Sequence, residues 1–133
     1  MSWLAGSVVL VLVTLCASSE EDKGHLEIHS QRTPITAASG SSLRLSCNAF
    51  YNVKICGLLH VAWREEEGAE LTNPRKYFTT VNETLTDGNM RHRQVVTEFL
   101  DPRPEDSGRY QCNAECENKD TARGRAIQVT VRD

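Results

Sequence analysis

The sequence predicts an all-β fold in which two antiparallel sheets pack face to face as a sandwich. Three observations predict it. Short runs of alternating apolar and polar residues recur between turn signals, no helix-period segment of useful length follows residue 18, and two cysteines flank a tryptophan at separations that suit a single core. Each alternating run has one dry face, and two sheets covering each other's dry faces is the economical solution.

Residues 1–18 carry no charged side chain, and 8–15 form an almost unbroken apolar run. Such a run is too short to span a bilayer, and the small residues Cys16 and Ser18 suit cleavage after Ser18, so 1–18 reads as a secretory signal peptide. A buried N-terminal helix is the alternative, opposed by Glu20, Glu21 and Asp22, which follow at once. Residues 19–25 then form a leader segment and 26–133 the domain. What remains after cleavage, about 110 residues, supports one hydrophobic core and not two. Export implies a secreted protein or one on the extracellular face of the plasma membrane.

Along the domain, Leu43, Leu45, Cys47 and Ala49 point one way while Arg44, Ser46 and Asn48 point the other. Val61 with Trp63, then Val95, Thr97 and Phe99, then Tyr110, Cys112 and Ala114, and last Ile127, Val129 and Val131 repeat the pattern. Turns are expected at Ser39-Gly40-Ser41, Glu67-Gly68, Asn73-Pro74, Asp87-Gly88-Asn89, residues 102–108 and the polar stretch 117–124. Residues 77–91 have no clear pattern, and no strand is assigned there.

The net charge of −3 leaves no basic field for nucleic acid or anionic lipid. Arginines at 91, 93, 123 and 125 form local basic spots that read as solvated surface. Cys16 leaves with the signal peptide, and the spacings among Cys47, Cys56, Cys112 and Cys116 fit no common zinc pattern, so neither a metal nor a cofactor is expected.

Cys47 ends the first strong strand, Trp63 lies 16 residues on, and Asp106-Ser107-Gly108-Arg109-Tyr110-Gln111-Cys112 closes the pattern. This is the signature of the immunoglobulin superfamily. A Cys47–Cys112 bridge joins the sheets, Trp63 packs on it, and Tyr110 caps a corner through its hydroxyl, with Asp106 and Gly108 in the turn before it. The interval between the two cysteines leaves room for one or two strands beyond the constant-type set, which favours a variable or intermediate type. Cys116 shares the facing of Cys112 by strand parity, and Cys56 lies at the same end of the sandwich. A Cys56–Cys116 bridge follows, with free thiols or an intermolecular bond as the alternatives.

Across residues 26–132, the run Leu45-Ser46-Cys47, then Cys56, His60-Val61-Ala62-Trp63 and the motif ending at Cys112 resembles the ectodomains of lymphocyte co-inhibitory receptors of the B- and T-lymphocyte attenuator kind. The resemblance implies modulation of lymphocyte activation. It also implies a protein partner from the tumour-necrosis-factor-receptor family, similar to the mediator through which herpesvirus enters cells. This sequence departs from that pattern in having Cys116, and in having Arg64 where a cysteine is expected. No transmembrane run or tyrosine motif occurs up to Asp133, so the expectation is a chain that does not itself signal: a soluble form, a fragment or a decoy-like secreted relative. A cell-adhesion module or a secreted decoy with an unrelated ligand is the alternative function.

Asn82-Glu83-Thr84 is the sole glycosylation sequon. No catalytic constellation is expected, nor a small-molecule substrate. His25 and His29 are four apart in an extended segment and do not converge, His60 and His92 read as surface positions, and Glu65, Glu66 and Glu67 read as a solvated turn. The partner surface is expected at the end formed by residues 51–59 and 115–123. There Tyr51, Ile55, Leu58 and Leu59 lie beside Lys54, Lys119 and Arg123, apolar anchors with a charged rim. A contact along a terminal edge strand at 126–131 is the fallback.

Overall fold

A computed structural model of the protein describes residues 25–133. The expected signal peptide and residues 19–24 of the expected leader lie outside the described residues. In chain order the strands are β1 (Leu26–Ser30), β2 (Ile35–Ala38), β3 (Leu43–Asn52), β4 (Leu59–Glu65), β5 (Tyr77–Leu85), β6 (Met90–Phe99), β7 (Gly108–Cys116), β8 (Thr121–Arg123) and β9 (Ile127–Arg132). A four-residue helix α1 (Val53–Cys56) follows β3, and a 3-10 turn (Pro104–Asp106) precedes β7.

The strands form two sheets, β1-β3-β6-β5 and β2-β9-β7-β4, with β8 adding to β7 beyond the end of β9. Together they make an immunoglobulin-like antiparallel β-sandwich, in which β2 against β9 is the parallel pair. The chain leaves the first sheet after β1 and joins the second at β2. Pro34 stands at the crossing, where a residue without an N–H cannot continue a ladder.

Period-two burial puts Leu43, Leu45, Cys47, Ala49 and Tyr51 of β3 inside, facing Trp63, Tyr110, Cys112, Ile127 and Val129 from the other sheet. Cys47 and Cys112 are bonded across the middle of this core, with Cα atoms 6.4 Å apart. Thr97 of β6, also buried, satisfies its Oγ1 on Thr79 Oγ1 at 2.9 Å. Tyr110 donates its hydroxyl to the carbonyl of Asp106. Asp106, itself buried, accepts the Arg103 N–H at 2.9 Å and the Lys76 ammonium at 3.0 Å.

Three expectations are corrected, and one segment without an assigned strand acquires one. Between the bridge cysteines the structure has β4, β5 and β6 and no further full strand, only an isolated bridge between Arg64 and Glu70. The spare length goes into α1 and into the nine and ten residues of β5 and β6. Residues 77–85, left unassigned, are the edge strand β5, whose residues are nearly all exposed and so show no alternation. The stretch 117–124 is not turn throughout, since residues 121–123 pair with β7 as β8. Residues 126–131 are not an edge: β9 lies between β7 and β2, pairing with β7 over Ile127–Val129 and with β2 over Val129–Arg132.

Candidate protein-recognition surface

The end expected to carry recognition is built from two short loops locked together. After β3, Asn52 caps α1 by accepting from the Lys54 and Ile55 N–H groups at 3.0 and 3.3 Å. Gly57 closes the helix at φ 75°, a conformation that favours glycine, and a Cβ there would meet Glu117 Oε1 at 2.6 Å. The second loop, 117–120, follows β7 and crosses directly over the first.

Cys56 and Cys116 are bonded, with Cα atoms 4.9 Å apart and both residues buried. Around the bridge, Glu117 N–H donates to the Leu58 carbonyl at 2.8 Å, Leu58 N–H donates to Glu117 Oε1 at 3.2 Å, and Asn118 Nδ2 donates to the Ile55 carbonyl at 2.9 Å. Asp120 ties in the start of the domain by bonding His25 Nε2, while the His25 carbonyl accepts the Asn52 N–H at 2.9 Å. Hydrogen bonds from His25 and then Asn118 hold the Asp120 carboxyl below the usual range. His25, placed in the leader by the sequence, is thus part of this clamp.

The expected contact residues divide into three groups. Tyr51 and Leu59 are core, at 2% and 8% exposure. Leu58, at 79%, and Ile55, at 49%, stand out from the clamp beside Lys54 and Lys119, and Lys119 occupies the turn tip at φ 82°. Neither lysine has an ion-pair partner among the described residues. Arg123 lies apart from them on the outer face of β8, opposite Asn113, in a shallow hollow with His60, Arg64 and Glu70. A neighbouring hollow holds Leu58, His60, Glu115 and Lys119, so His60 and Glu115 join the loop end to this sheet face in one surface.

Beside Leu58, on the open side between β4 and β5, lies a network the sequence did not reveal. Arg93 donates Nε to Glu83 at 2.6 Å, Nη2 to the Tyr51 hydroxyl at 3.3 Å, and Nη1 to the Leu59 carbonyl; the Tyr51 hydroxyl also donates to Glu83. Partial burial pushes the Glu83 carboxyl up, but the hydrogen bonds from Arg93 and Tyr51 and the charges of Arg93 and Arg91 outweigh it and hold the group low. The inward facing of Glu83 and Arg93 by strand parity is the signal that could have found this network, had β5 been recognised as a strand.

Asn82 is exposed on the outer face of β5, opposite Gln94. It therefore stands on the far sheet from Arg123 and its hollow. His60 and Glu70, 2.8 Å apart, are both exposed on the open sheet face. Among the described residues, no helix is long and apolar enough to cross a membrane, and no cluster of side chains could hold a metal ion. Comparison with protein-family models and with curated proteins gives no match for this chain.

Proposed function

We propose that this is an extracellular protein-recognition domain, of the co-inhibitory receptor-like or soluble kind that modulates lymphocyte activation. It engages its partner through the end that carries Leu58. One observation carries the reading: Leu58 is 79% exposed on a loop held by the Cys56–Cys116 bridge, next to two lysines with no ion-pair partner among the described residues. A large apolar side chain displayed on a stiff support is costly in water and useful in an interface. It contributes buried area on docking, and little conformational entropy is lost because the loop is already fixed. The lysines around it suit a partner with an acidic rim, which speeds encounter more than it tightens the complex.

The sequence resemblance supports a tumour-necrosis-factor-receptor family member as the partner. The secreted chain, fused to an antibody constant region, tests this against cells displaying the ectodomains of that family one at a time. Binding to a member, lost in Leu58→Asp and kept in Phe78→Asp on the opposite sheet, is the expected result. Binding that survives Leu58→Asp moves the contact elsewhere. Absence of binding together with concentration-dependent self-association in sedimentation would favour the adhesion reading.

A further inference from the structure

We infer that a glycan at Asn82 folds back on the protein: its first sugar stacks on the free face of the His92 imidazole and covers the outer face of the β1-β3-β6-β5 sheet. The inference rests on use of the Asn82 sequon and is independent of which partner the loop end binds.

Strand register supplies the geometry. Asn82 and Thr84 point outward from β5, while Glu83 between them turns inward to Arg93. Directly opposite Thr84 is His92, opposite His92 is Phe50, and opposite Phe50 is Glu27. In the next row Asn82 faces Gln94, then Asn48, then His29. Asn82 and His92 are thus diagonal neighbours on one face, a relation that puts their backbones roughly 7–8 Å apart. An asparagine side chain bearing a pyranose ring covers that span.

The aromatic groups on this face are already ordered. Phe50 and His92 are stacked, with ring centroids 4.5 Å apart and planes at 10°, and His29 meets Phe50 edge-on at 5.6 Å. Asn48 Oδ1 bonds His92 Nε2 at 2.7 Å and fixes the plane of the ring. Phe50 comes from β3, on one side of β6, so the uncovered face of His92 is turned toward β5, on the other side. The residue facing it there is Thr84, which is short and exposed.

A planar ring with one face covered and the other turned to the sugar's own strand is a stacking platform. The C–H-bearing face of a pyranose is apolar and the face of an aromatic ring is electron-rich, so the two attract while both leave water. Gln94 and Asn48 beside the platform offer amides to the sugar hydroxyls and N-acetyl group. Seated this way, the glycan closes this sheet face to partner proteins and leaves the loop end and the outer face of β4-β7 open.

The test uses the full chain secreted from mammalian cells, with the glycan trimmed enzymatically to a single N-acetylglucosamine. Thermal midpoints are compared with and without the sugar, the latter as Asn82→Gln, in three backgrounds: unaltered, His92→Ala and His92→Phe. The sugar is expected to raise the midpoint by about 2–4 °C in the unaltered and His92→Phe proteins and to have no effect in His92→Ala. An equal increment in all three, or an intact mass lacking any sugar at Asn82, overturns the inference. A measurement on the unaltered glycoprotein guards against a misfolded variant: nuclear Overhauser contacts between the His92 ring protons and the first sugar are expected, and their absence likewise overturns it.

Discussion

Arg93 of β6 donates a hydrogen bond to the Leu59 carbonyl of β4 and so joins the two sheets across the open side of the sandwich. In place of a further strand, a partly buried ion pair with Glu83, backed by Tyr51, closes the gap. Replacing Arg93 by methionine keeps the apolar stem and removes the donors, leaving Leu59 O and the Glu83 carboxylate to find water. The expected cost is about 1–3 kcal/mol in urea denaturation, because a polar group left unsatisfied loses its full desolvation penalty.

The same network sets an acid-side dependence. Glu83 has its carboxyl held below the ordinary value in the folded protein. A depressed carboxyl contributes stability that is present above its unfolded pKa and is lost as pH falls through the lower folded one. Stability should therefore decline from about pH 4.5 downward, and Glu83→Gln should lower stability at pH 7 while flattening that decline. Urea midpoints measured from pH 7 to pH 3 on both proteins check this; parallel curves would remove Glu83 from the acid response.

At the alkaline side the corner residue Tyr110 governs. Burial pushes its phenol well above the ordinary value, and Lys76, bonded to Asp106, is also raised. Both groups keep their protons to higher pH when folded, so stability is full below the unfolded values, near pH 10, and falls as pH rises beyond them. Tyr110→Phe loses the bond to the Asp106 carbonyl, a cost of about 1 kcal/mol at pH 7. It should also show a shallower loss between pH 10 and 11, read from denaturant midpoints.

The two bridges are not of equal thermodynamic weight. Cys47–Cys112 closes a separation of 65 residues and, by the chain-entropy argument, contributes about 4 kcal/mol. Cys56–Cys116 spans 60 residues on its own, but the first bridge has already brought the chain together. Its added loop is only the nine residues from Cys47 to Cys56 plus the four from Cys112 to Cys116, worth about 3 kcal/mol. The Cys56→Ser/Cys116→Ser variant should therefore stay folded at 25 °C with a lower midpoint. Its faster amide exchange should be confined to residues 53–58 and 117–120.

What the sequence disclosed follows the same physics. Cys47, Trp63, Tyr110 and Cys112 were legible because the core imposes alternation on every strand that has one dry side. Cys116 was legible because it shares the parity of Cys112. β5 was not, since both of its faces meet water along most of its length, and β8 was hidden because three residues are too few to show a period. That β9 is a central strand depends on β2, whose Ile35 and Ala37 are only half-buried and whose parallel pairing is distant in sequence. The exposed pair Ile55 and Leu58 could not be told from the buried pair Tyr51 and Leu59 by composition. Tyr51 and Leu59 belong to the core strands β3 and β4, whereas Ile55 and Leu58 lie in the short connection between them.

Charge and apolar contact at the loop end should separate kinetically. Lys54 and Lys119 are exposed and have no ion-pair partner among the described residues, so they act on an approaching partner over about a Debye length, roughly 8 Å at physiological salt. Leu58 acts only after contact. Against an ectodomain of the proposed partner family, Lys54→Glu/Lys119→Glu should slow association about tenfold and weaken its salt dependence, with dissociation little changed. Leu58→Asp should instead speed dissociation tenfold or more, as loss of roughly 1.4 kcal/mol or more of desolvated contact requires. Arg123 supplies the internal comparison. It sits on the outer face of β8 in the hollow with His60 and Glu70, and reaches the loop end only through the surface of His60 and Glu115. If the contact is confined to the loop end, Arg123→Glu changes association by less than about threefold; if it extends onto the sheet face, Arg123→Glu matches the lysine pair. Surface plasmon resonance at 50 and 300 mM salt, with thermal midpoints to confirm unchanged folding, reads all three variants. Association and dissociation both indifferent to Leu58→Asp and to the lysine reversals would place recognition away from this end altogether.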